Sequence, residues 1–589
     1  WIYLIGLISY LLKLIIKQYG QTQRILMRNF YFLQLPLTSD AACLPQAIGT
    51  IWSYCEQFKE VNTKYRLSGV WWIEKIDIIE PDVVAASCYM WNWKETYEVL
   101  KDVRRRYPKC KIIVGGPDPQ YTSEWCKKHP EIDAVMAYYG EETMRRFLVE
   151  DNLDIPGIVT KDFNNAAQAE YADPKMIPSP YLNGFFDRLL KGDWSTKKFR
   201  YNKKPIRVIF EGNRGCPYTC SFCDIGHKKY TKIQMFDTEK CLQELQWMCE
   251  KNVSSIDVAD SNFGIFPRDE KFVDYIVSQK KLGVFNGRFM PTWAKTHGDK
   301  IIRLAKKLQD GDVDEIFGFS LQSTNPETLT KIKRRNAFDI KDFRPIIKDL
   351  KKDGVSSYTE LIFPLPGDTL ETFKNGLHEI VNMPAPFDMI QINTLSRLSN
   401  TEFNTGFPEM KWKNIKGTAK PYNNDVIDEI AVATDTMTEE EVFEGFFYSR
   451  SFIIPMYWYG LSKYLADCYY DINNNRSELY KNIYNNLFQQ KVFSDHKLEV
   501  KEHYFKAIND YKDIGYKILI DDINYYTDTA YSHLFYVENN IFGTLKEMYP
   551  EYDEIIDQNR NDFRPIFDKK EWLRDIHVRG RFGESWKDV

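Results

Sequence analysis

The sequence predicts an α/β protein: a doubly wound parallel sheet, then a partial (β/α)6 barrel, then a mostly helical C-terminal region. Three observations carry this. From about residue 29 to 405, short apolar runs of strand length alternate with stretches of helical periodicity, which is the pattern of parallel strands joined by crossover helices. Glycines and small polar residues collect just after those runs, where the carboxyl ends of parallel strands carry ligand-binding loops. Beyond residue 406 the alternation gives way to aromatic stripes at helical spacing, the usual signature of packed helices.

The first sheet occupies residues 27–165. Phe30-Tyr-Phe-Leu-Gln-Leu35 reads as a strand ended by Pro36, and Leu44 to Lys59 as a helix. Asp82-Val-Val-Ala-Ala-Ser87 is a second strand, Lys94 to Arg106 a helix with a basic end, and Lys111-Ile-Ile-Val-Gly-Gly-Pro117 a third strand running into a glycine turn. Ile132-Asp-Ala-Val-Met136 is a further short strand. The alternation describes a Rossmann/flavodoxin-like domain. Gly115 and Gly116 stand at a carboxyl strand end, where the missing side chain lets a bulky ligand approach the backbone. Pro174, Pro178 and Pro180 then mark residues 166–205 as a linker, with Phe185 to Leu190 as a short docking helix.

Residues 206–405 carry six strands with helices between them. The strands are Ile206–Phe210, Ser255–Asp260, Phe289–Pro291, Glu315–Gln322, Ser357–Phe363 and Met389–Asn393. The helices between them are Phe236–Lys251, Asp269–Lys281, Lys300–Leu308, Phe343–Lys352 and Leu370–Val381. This suggests a partial TIM-type barrel with its site at the carboxyl ends of the strands. In residues 406–589, helices are expected at Glu439–Tyr448, Leu461–Tyr470, Tyr504–Tyr511, Ile541–Tyr549 and Asp568–Ile576.

The chemistry lies in one loop. Glu211-Gly-Asn-Arg-Gly-Cys-Pro-Tyr-Thr-Cys-Ser-Phe-Cys-Asp-Ile-Gly226 leaves the first barrel strand and carries Cys216, Cys220 and Cys223. Three thiolates on one loop can converge on one metal centre. A four-iron cluster normally takes four cysteines, so three leave one iron open for chemistry. Structural zinc is the competing reading, because His227 would complete a Cys3His set. Zinc ligands usually arrive as two separated doublets, whereas here all four crowd a single loop.

The spacing Cys-x3-Cys-x2-Cys directly after a strand resembles the signature of the radical SAM enzymes. The resemblance implies a [4Fe–4S] cluster on Cys216, Cys220 and Cys223, with S-adenosylmethionine chelating the open iron. It places Phe222 near the adenine. Asp260 and Asn262 fall where that family binds the methionyl amino group, although the usual Gly-Gly-Glu is absent. Ser320 and Gln322 fall where it contacts the ribose. Leu365-Pro-Gly-Asp-Thr369 is similar to the family's Gly-Leu-Pro-Gly-Glu-Thr segment, with Pro364 for the first Gly and Asp368 for the Glu.

The first domain resembles the B12-binding domain, whose fingerprint is Asp-x-His-x-x-Gly, then Ser-x-Leu, then Gly-Gly. Ser87-Cys-Tyr89 and Gly115-Gly116-Pro117 fill the second and third elements. Asp40-Ala-Ala-Cys-Leu-Pro45 falls in the first, with Ala42 in place of the cobalt-ligating His and Pro45 in place of the Gly. The implied cobalamin therefore has no His ligand from the first loop. Gly140-Glu141-Glu-Thr143 and Ile177-Pro-Ser-Pro-Tyr-Leu-Asn-Gly184 are similar to segments of B12-domain proteins fused to radical SAM cores. The whole resembles a cobalamin-dependent radical SAM methyltransferase. Such an enzyme reductively cleaves S-adenosylmethionine and passes a methyl group from methylcobalamin to an unactivated carbon. A radical cyclase, rearrangement or oxidation enzyme with the same parts is one alternative. A non-catalytic B12-binding regulatory protein is another, and the intact cysteine triad argues against it. The resemblance also implies a reducing partner such as flavodoxin or ferredoxin. The substrate is unknown: a small metabolite, a lipid or a peptide.

Composition sets outer bounds. A net charge of −4 gives no global field for nucleic acid, and the basic run Lys331–Arg335 reads as a solvated helix face or local anion contact, with Arg334-Arg335 as a solvated turn. Eleven cysteines, only three of them clustered, are not a disulfide framework and suit a reducing cytosol. Residues 1–26 are apolar at the start, fall short of a stable membrane span, and are read as an extension upstream of Met27.

Overall fold

The computed structural model describes residues 27–36, 42–73, 75–194, 205–294, 298–313, 317–335, 340–404, 406–407, 410–419, 424–509 and 535–563. The expectations for residues 1–26, for the start of the first B12 element at Asp40-Ala41, and for a helix at Asp568–Ile576 lie outside the described residues. The chain forms two compact units, residues 1–206 and 207–589.

The first unit is built on β1 (Arg28–Leu33), β2 (Tyr65–Trp71), β3 (Val83–Ser87), β4 (Lys111–Gly115), β5 (Ala134–Met136) and β6 (Ile158–Val159). They pair in the order β2-β1-β3-β4-β5-β6. All pairs are parallel except the last. Its interior strands read as continuous apolar runs because helices cover both faces: Val84, Ile112, Val114 and Val135 are fully buried. Its helices are α1 (Gln46–Cys55), α2 (Lys59–Lys64), α3 (Trp93–Arg106), α4 (Ser123–Lys128) and α5 (Glu141–Glu150); α1 and α3 match the two helices expected from the sequence, with α1 ending at Cys55 rather than Lys59, and α2, α4 and α5 are additional. β2 went unread because Arg66, Ser68 and Gly69 interrupt its apolar pattern, as an edge strand permits. The segment read as a linker joins this unit's core through Tyr181, Phe185 and Phe186, all buried. Helix α6 (Phe185–Lys191) lies so close to α1 that a Cβ on Gly49 would come within 2.7 Å of the Phe186 ring.

In the second unit, β7 (Ile206–Phe210), β10 (Ser255–Val258) and β11 (Arg288–Met290) form one parallel sheet. β12 (Phe317–Gln322), β13 (Ser357–Phe363) and β14 (Met389–Thr394) form another. Between β7 and β10, the short strands β8 (Asn213–Arg214) and β9 (Gln234–Met235) pair antiparallel. The helices are α7 (Thr238–Glu250), α8 (Asp269–Lys281), α9 (Gly298–Asp310), α10 (Pro326–Lys331), α11 (Ile340–Lys352) and α12 (Leu370–Val381). β13 alternates strictly: Ser357, Thr359, Leu361 and Phe363 are buried, while Tyr358, Glu360 and Ile362 are half-exposed. The buried face meets the helix layer, where the Phe363 ring stacks on Phe373 of α12 at 3.9 Å. The half-exposed face is the inner wall of the barrel.

The C-terminal region is largely helical but opens with an antiparallel hairpin, β15 (Lys411–Ala419) and β16 (Asn424–Ala433). A π-helix, Phe447–Trp458, follows α13 (Glu439–Phe446). Helices α14 (Lys463–Asn473), α15 (Arg476–Leu487), α16 (Lys491–Asn509), α17 (Ile541–Met548) and α18 (Asp553–Phe563) complete it. One carboxylate ties these helices to the barrel: Glu444 of α13 meets Lys374 of α12 at 3.0 Å, Lys497 of α16 at 2.6 Å and the Tyr484 hydroxyl of α15 at 2.7 Å. No helix among the described residues is long and apolar enough to cross a membrane.

Candidate cofactor sites

The cysteine loop is closed at its base by the β8–β9 ladder. Just inside it, the Cys216 N–H donates to the Tyr230 carbonyl at 2.8 Å. Gly215 has φ +96°, and a Cβ there would sit 2.5 Å from that same carbonyl oxygen, so glycine alone fits. A Cβ on Gly226 would strike the Cys220 carbonyl oxygen. These two contacts fold the loop back on itself around its three free thiols, with Cys220 buried and Cys216 and Cys223 half-buried.

Two residues on neighbouring elements fix the base. Asp260, fully buried after β10, accepts the N–H groups of Gly212 at 2.7 Å and Asn213 at 3.0 Å, and the Asn213 side-chain amide. Burial pushes its carboxyl up to about 7, and the Asn213 and Gly212 N–H groups pull it back toward the charged form. Arg268 donates to the carbonyls of Gly212 and Phe236. Asp260 thus spends both oxygens on the loop, whereas Asn262 faces the thiols. Its Nδ2 donates to Cys216 Sγ at 3.2 Å, and its Oδ1 is buried with no hydrogen-bond donor. Gln322, at the end of β12, is 8% exposed, has φ +68°, and also buries an Oε1 with no donor. Buried acceptors left unmade are costly, and two of them beside the cysteine loop and the strand ends suit a ligand rich in N–H and O–H donors. The three-thiol donor set and these two acceptors fit a cluster with S-adenosylmethionine.

Ser320 of β12 donates its hydroxyl to Glu360 of β13 at 2.9 Å and offers its carbonyl to Arg334. Phe222 is half-buried and packs on the cluster of Ile332, Leu365, Leu395, Phe403, Met410 and Ala431. Asp368 is buried and accepts from Asn325 at 3.0 Å and Thr372 at 3.1 Å, so it organises its own turn. His227 is exposed, and its Nδ1 accepts the Lys229 N–H at 3.1 Å, so that nitrogen is turned to its own chain. Among the described residues no three His, Cys, Asp or Glu side chains gather tightly around one ion position.

The expectation for Arg334 needs correction. Arg335 is exposed, but Arg334 is 5% exposed and lies against the thiols. Burial lowers its guanidinium from the ordinary value, while a hydrogen bond and charge interaction with Cys220, and then Cys223 and Cys216, work the other way. A basic run conceals this because its members turn to different partners. Lys331 pairs with Asp435 at 2.6 Å, Lys333 with Glu402, and Ile332 is fully buried.

In the first unit, Ser87 and Gly115 stand opposite each other at the ends of β3 and β4. Asn92, missed from sequence, is fully buried and braces this edge, donating to the carbonyls of Leu35 at 3.3 Å and Ser87 at 3.1 Å. Gly116 has φ +101°, and a Cβ there would strike the Cys88 carbonyl. The fold itself therefore requires glycine there. Gly115 differs: a Cβ would meet only Met136 at 3.5 Å and 3.8 Å, leaving its other side open. Pro117 is half-buried in the turn that follows. Gly140 precedes α5 within 3.0 Å of Ile51 through a would-be Cβ, and Glu141 is buried in the helix's first turn. The one histidine before residue 227, His129, is enclosed by Trp93, Tyr97 and Trp125, with its Nδ1 at 2.8 Å from the Trp125 carbonyl. The small residues at the Ser87–Gly115 edge fit a broad, flat cofactor.

Two family models match: the B12 binding domain over residues 72–148 and the radical SAM superfamily over residues 211–380. Among curated proteins, the chain is 30% identical to the cobalamin-dependent radical SAM methyltransferase TokK of Streptomyces tokunonensis, over 64% of this chain and 56% of that protein. It is 28% identical, with the same coverage, to the 2-(S-pantetheinyl)-carbapenam-3-carboxylate methyltransferase of Streptantibioticus cattleyicolor. The chain thus spans about half the length of these relatives (56%). Among solved structures, the radical S-adenosylmethionine methyltransferase TsrM of Kitasatospora setae aligns at 13% identity and a TM-score of 0.49, over 69% of this chain and 88% of that one. The chain thus carries a match to a B12 binding domain followed by a match to a radical SAM domain that contains the cysteine loop, and the cofactors of such domains are cobalamin, a [4Fe–4S] cluster and S-adenosylmethionine.

Proposed function

We propose that the protein is a cobalamin-dependent radical SAM methyltransferase of the cytosol, acting on an unactivated carbon of a small metabolite, lipid or peptide. The observation that carries this is the cysteine loop: three thiols on one loop, with Asn262 donating to Cys216, and two buried amide oxygens, on Asn262 and Gln322, that lack donors. When bound, the cluster and cobalamin supply electron transfer and methyl transfer, and the protein supplies placement. Cys216, Cys220 and Cys223 hold the cluster. Asn262 and Gln322 orient S-adenosylmethionine through its amino and ribose hydroxyl groups, and Phe222 packs beside its base. The Ser87–Gly115 edge, with Gly116, Pro117, Gly140 and Glu141 around it, holds the cobalamin without an imidazole ligand. Residues 406–589 set substrate choice. A flavodoxin or ferredoxin provides electrons. The relatives named as methyltransferases favour methyl transfer over cyclisation or oxidation.

The test uses anaerobically purified protein with iron, sulfide and cobalamin supplied. Dithionite and S-adenosylmethionine are added and 5′-deoxyadenosine is measured. Its formation, and its loss in Cys220→Ala, support the assignment. A zinc-loaded protein that cleaves nothing overturns it in favour of a B12-binding regulator.

A further inference from the structure

We propose that Arg334 is the fixed positive charge of the cluster site: its guanidinium, docked on the sulfurs of the cysteine loop, makes the bound cluster easier to reduce. The inference rests on the cluster assignment above and adds a residue to it.

The placement is built, not incidental. Lys333 takes a left-handed backbone, φ +54°, which turns the chain sharply after α10. The Arg334 N–H donates to the Leu329 carbonyl at 2.8 Å, and the Ile332 carbonyl accepts the Ser221 N–H at 3.0 Å. The second bond inserts the turn between Cys220 and Cys223. Arg334 then reaches inward, donating to the Ser320 carbonyl and to Cys220. A buried cation is strongly unfavourable unless something compensates it. Lys333 and Glu402 neutralise each other, and Glu402 also receives the Ser221 hydroxyl at 3.1 Å. Glu360 receives the Ser320 hydroxyl at 2.9 Å.

Reduction adds one electron to the cluster and forms no bond. The charge it adds is stabilised by a cation in a poorly screened interior. Cluster potentials follow net charge, hydrogen bonds to sulfur and exposure, and Arg334 acts on the first two. Guanidinium suits the role because it keeps its charge when buried. Arg334 is a positioning residue for the electron, upstream of any substrate.

The experiment is an EPR-monitored redox titration of the full reconstituted chain, without and with S-adenosylmethionine, for wild type, Arg334→Lys and Arg334→Gln. Iron content and circular dichroism are recorded for each. Arg334→Gln is expected to disfavour reduction about tenfold, a shift of 59 mV to more negative potential for a one-electron couple. Arg334→Lys is expected to keep most of the wild-type potential. If Arg334→Gln loses iron while Arg334→Lys retains both iron and potential, the charge requirement is supported. An unchanged potential in Arg334→Gln, an equal shift in both variants, loss of iron in both, or an effect seen only as weaker S-adenosylmethionine binding overturns the proposal. Failure of the wild type itself to assemble a cluster defeats the cluster assignment instead, so the two failures are distinct.

Discussion

The carboxylate of Asp260 receives the backbone N–H of Gly212 at 2.7 Å, which joins the end of the second barrel strand to the first turn of the cysteine loop. The loop's shape is therefore inherited from the sheet rather than from metal alone. Replacing Asp260 by Ala strands the N–H groups of Gly212 and Asn213 in a buried site. We expect a stability loss of about 2–4 kcal/mol, with a matching fall in iron bound per chain after reconstitution. Thermal unfolding and iron analysis check this. Asp260→Asn keeps one acceptor oxygen and should fall between the two.

Gly115 and Gly116 are adjacent but differ in what they do. Gly116→Ala forces a side chain into the Cys88 backbone at φ +101°. It should destabilise the first unit by about 1–3 kcal/mol and lose cobalamin as a consequence. Gly115→Ala meets no close protein atom, so we expect near wild-type unfolding together with weakened cobalamin binding. Visible absorbance of bound cobalamin, read beside a urea melt, separates the two. Normal cobalamin binding in Gly115→Ala would remove that glycine from the site.

Much of this was legible in the sequence. The helix at Asp269–Lys281 and the strand at Ser357–Phe363 were read with their observed bounds because periodicity and the flanking Gly264, Gly283, Gly354 and Pro364 agree there. The cysteine loop was legible because its ligands are contiguous in sequence. The burial of Arg334 was not, because a run of four cations within five residues looks solvated until tertiary contacts assign each member its own partner. Asn92 was missed for a related reason: its two acceptors, Leu35 and Ser87, come from other segments. The hairpin at residues 411–433 escaped because polar residues such as Lys413, Asn414, Asp428 and Glu429 break any clean apolar alternation in its two strands. The π-helix at Phe447–Trp458 has no periodic signature of its own, being apolar nearly all round.

Gln322 offers a direct test of the S-adenosylmethionine contacts. Its Oε1 is buried without a donor, and its backbone is held at φ +68°. A ligand donor there satisfies an acceptor that the folded protein leaves unmade, so Gln322→Met should weaken S-adenosylmethionine binding about tenfold, the equivalent of one to two hydrogen bonds. Iron content should stay at the wild-type level. Equilibrium dialysis against the labelled cofactor measures the first and iron analysis the second. Unchanged affinity would leave the orphan oxygen unexplained by this ligand.

Acid should loosen the C-terminal helices before it affects the sheet of the first unit. His378 of α12 is buried, with its Nε2 at 2.9 Å from the Tyr448 hydroxyl of the π-helix. Burial, and then the charges of Lys481 and Lys374, push its imidazole down to about 4. His496 of α16, stacked on Phe535 at 3.8 Å, is pushed down to about 4 by burial. Both pKa values lie below the ordinary histidine value of about 6.5, so between about pH 6.5 and 4 the unfolded chain binds protons that the folded chain refuses. Stability is therefore full above about pH 6.5 and is lost as pH falls toward 4. The double variant His378→Gln/His496→Gln removes both proton sinks from the unfolded state. It should be less stable than wild type at pH 7, because buried contacts are lost, yet show a shallower decline on acidification. Urea midpoints collected across that interval read the slope directly. Parallel slopes for the two proteins would assign the acid sensitivity to carboxylates such as Glu444, whose ion pairs with Lys374 and Lys497 hold the same helices.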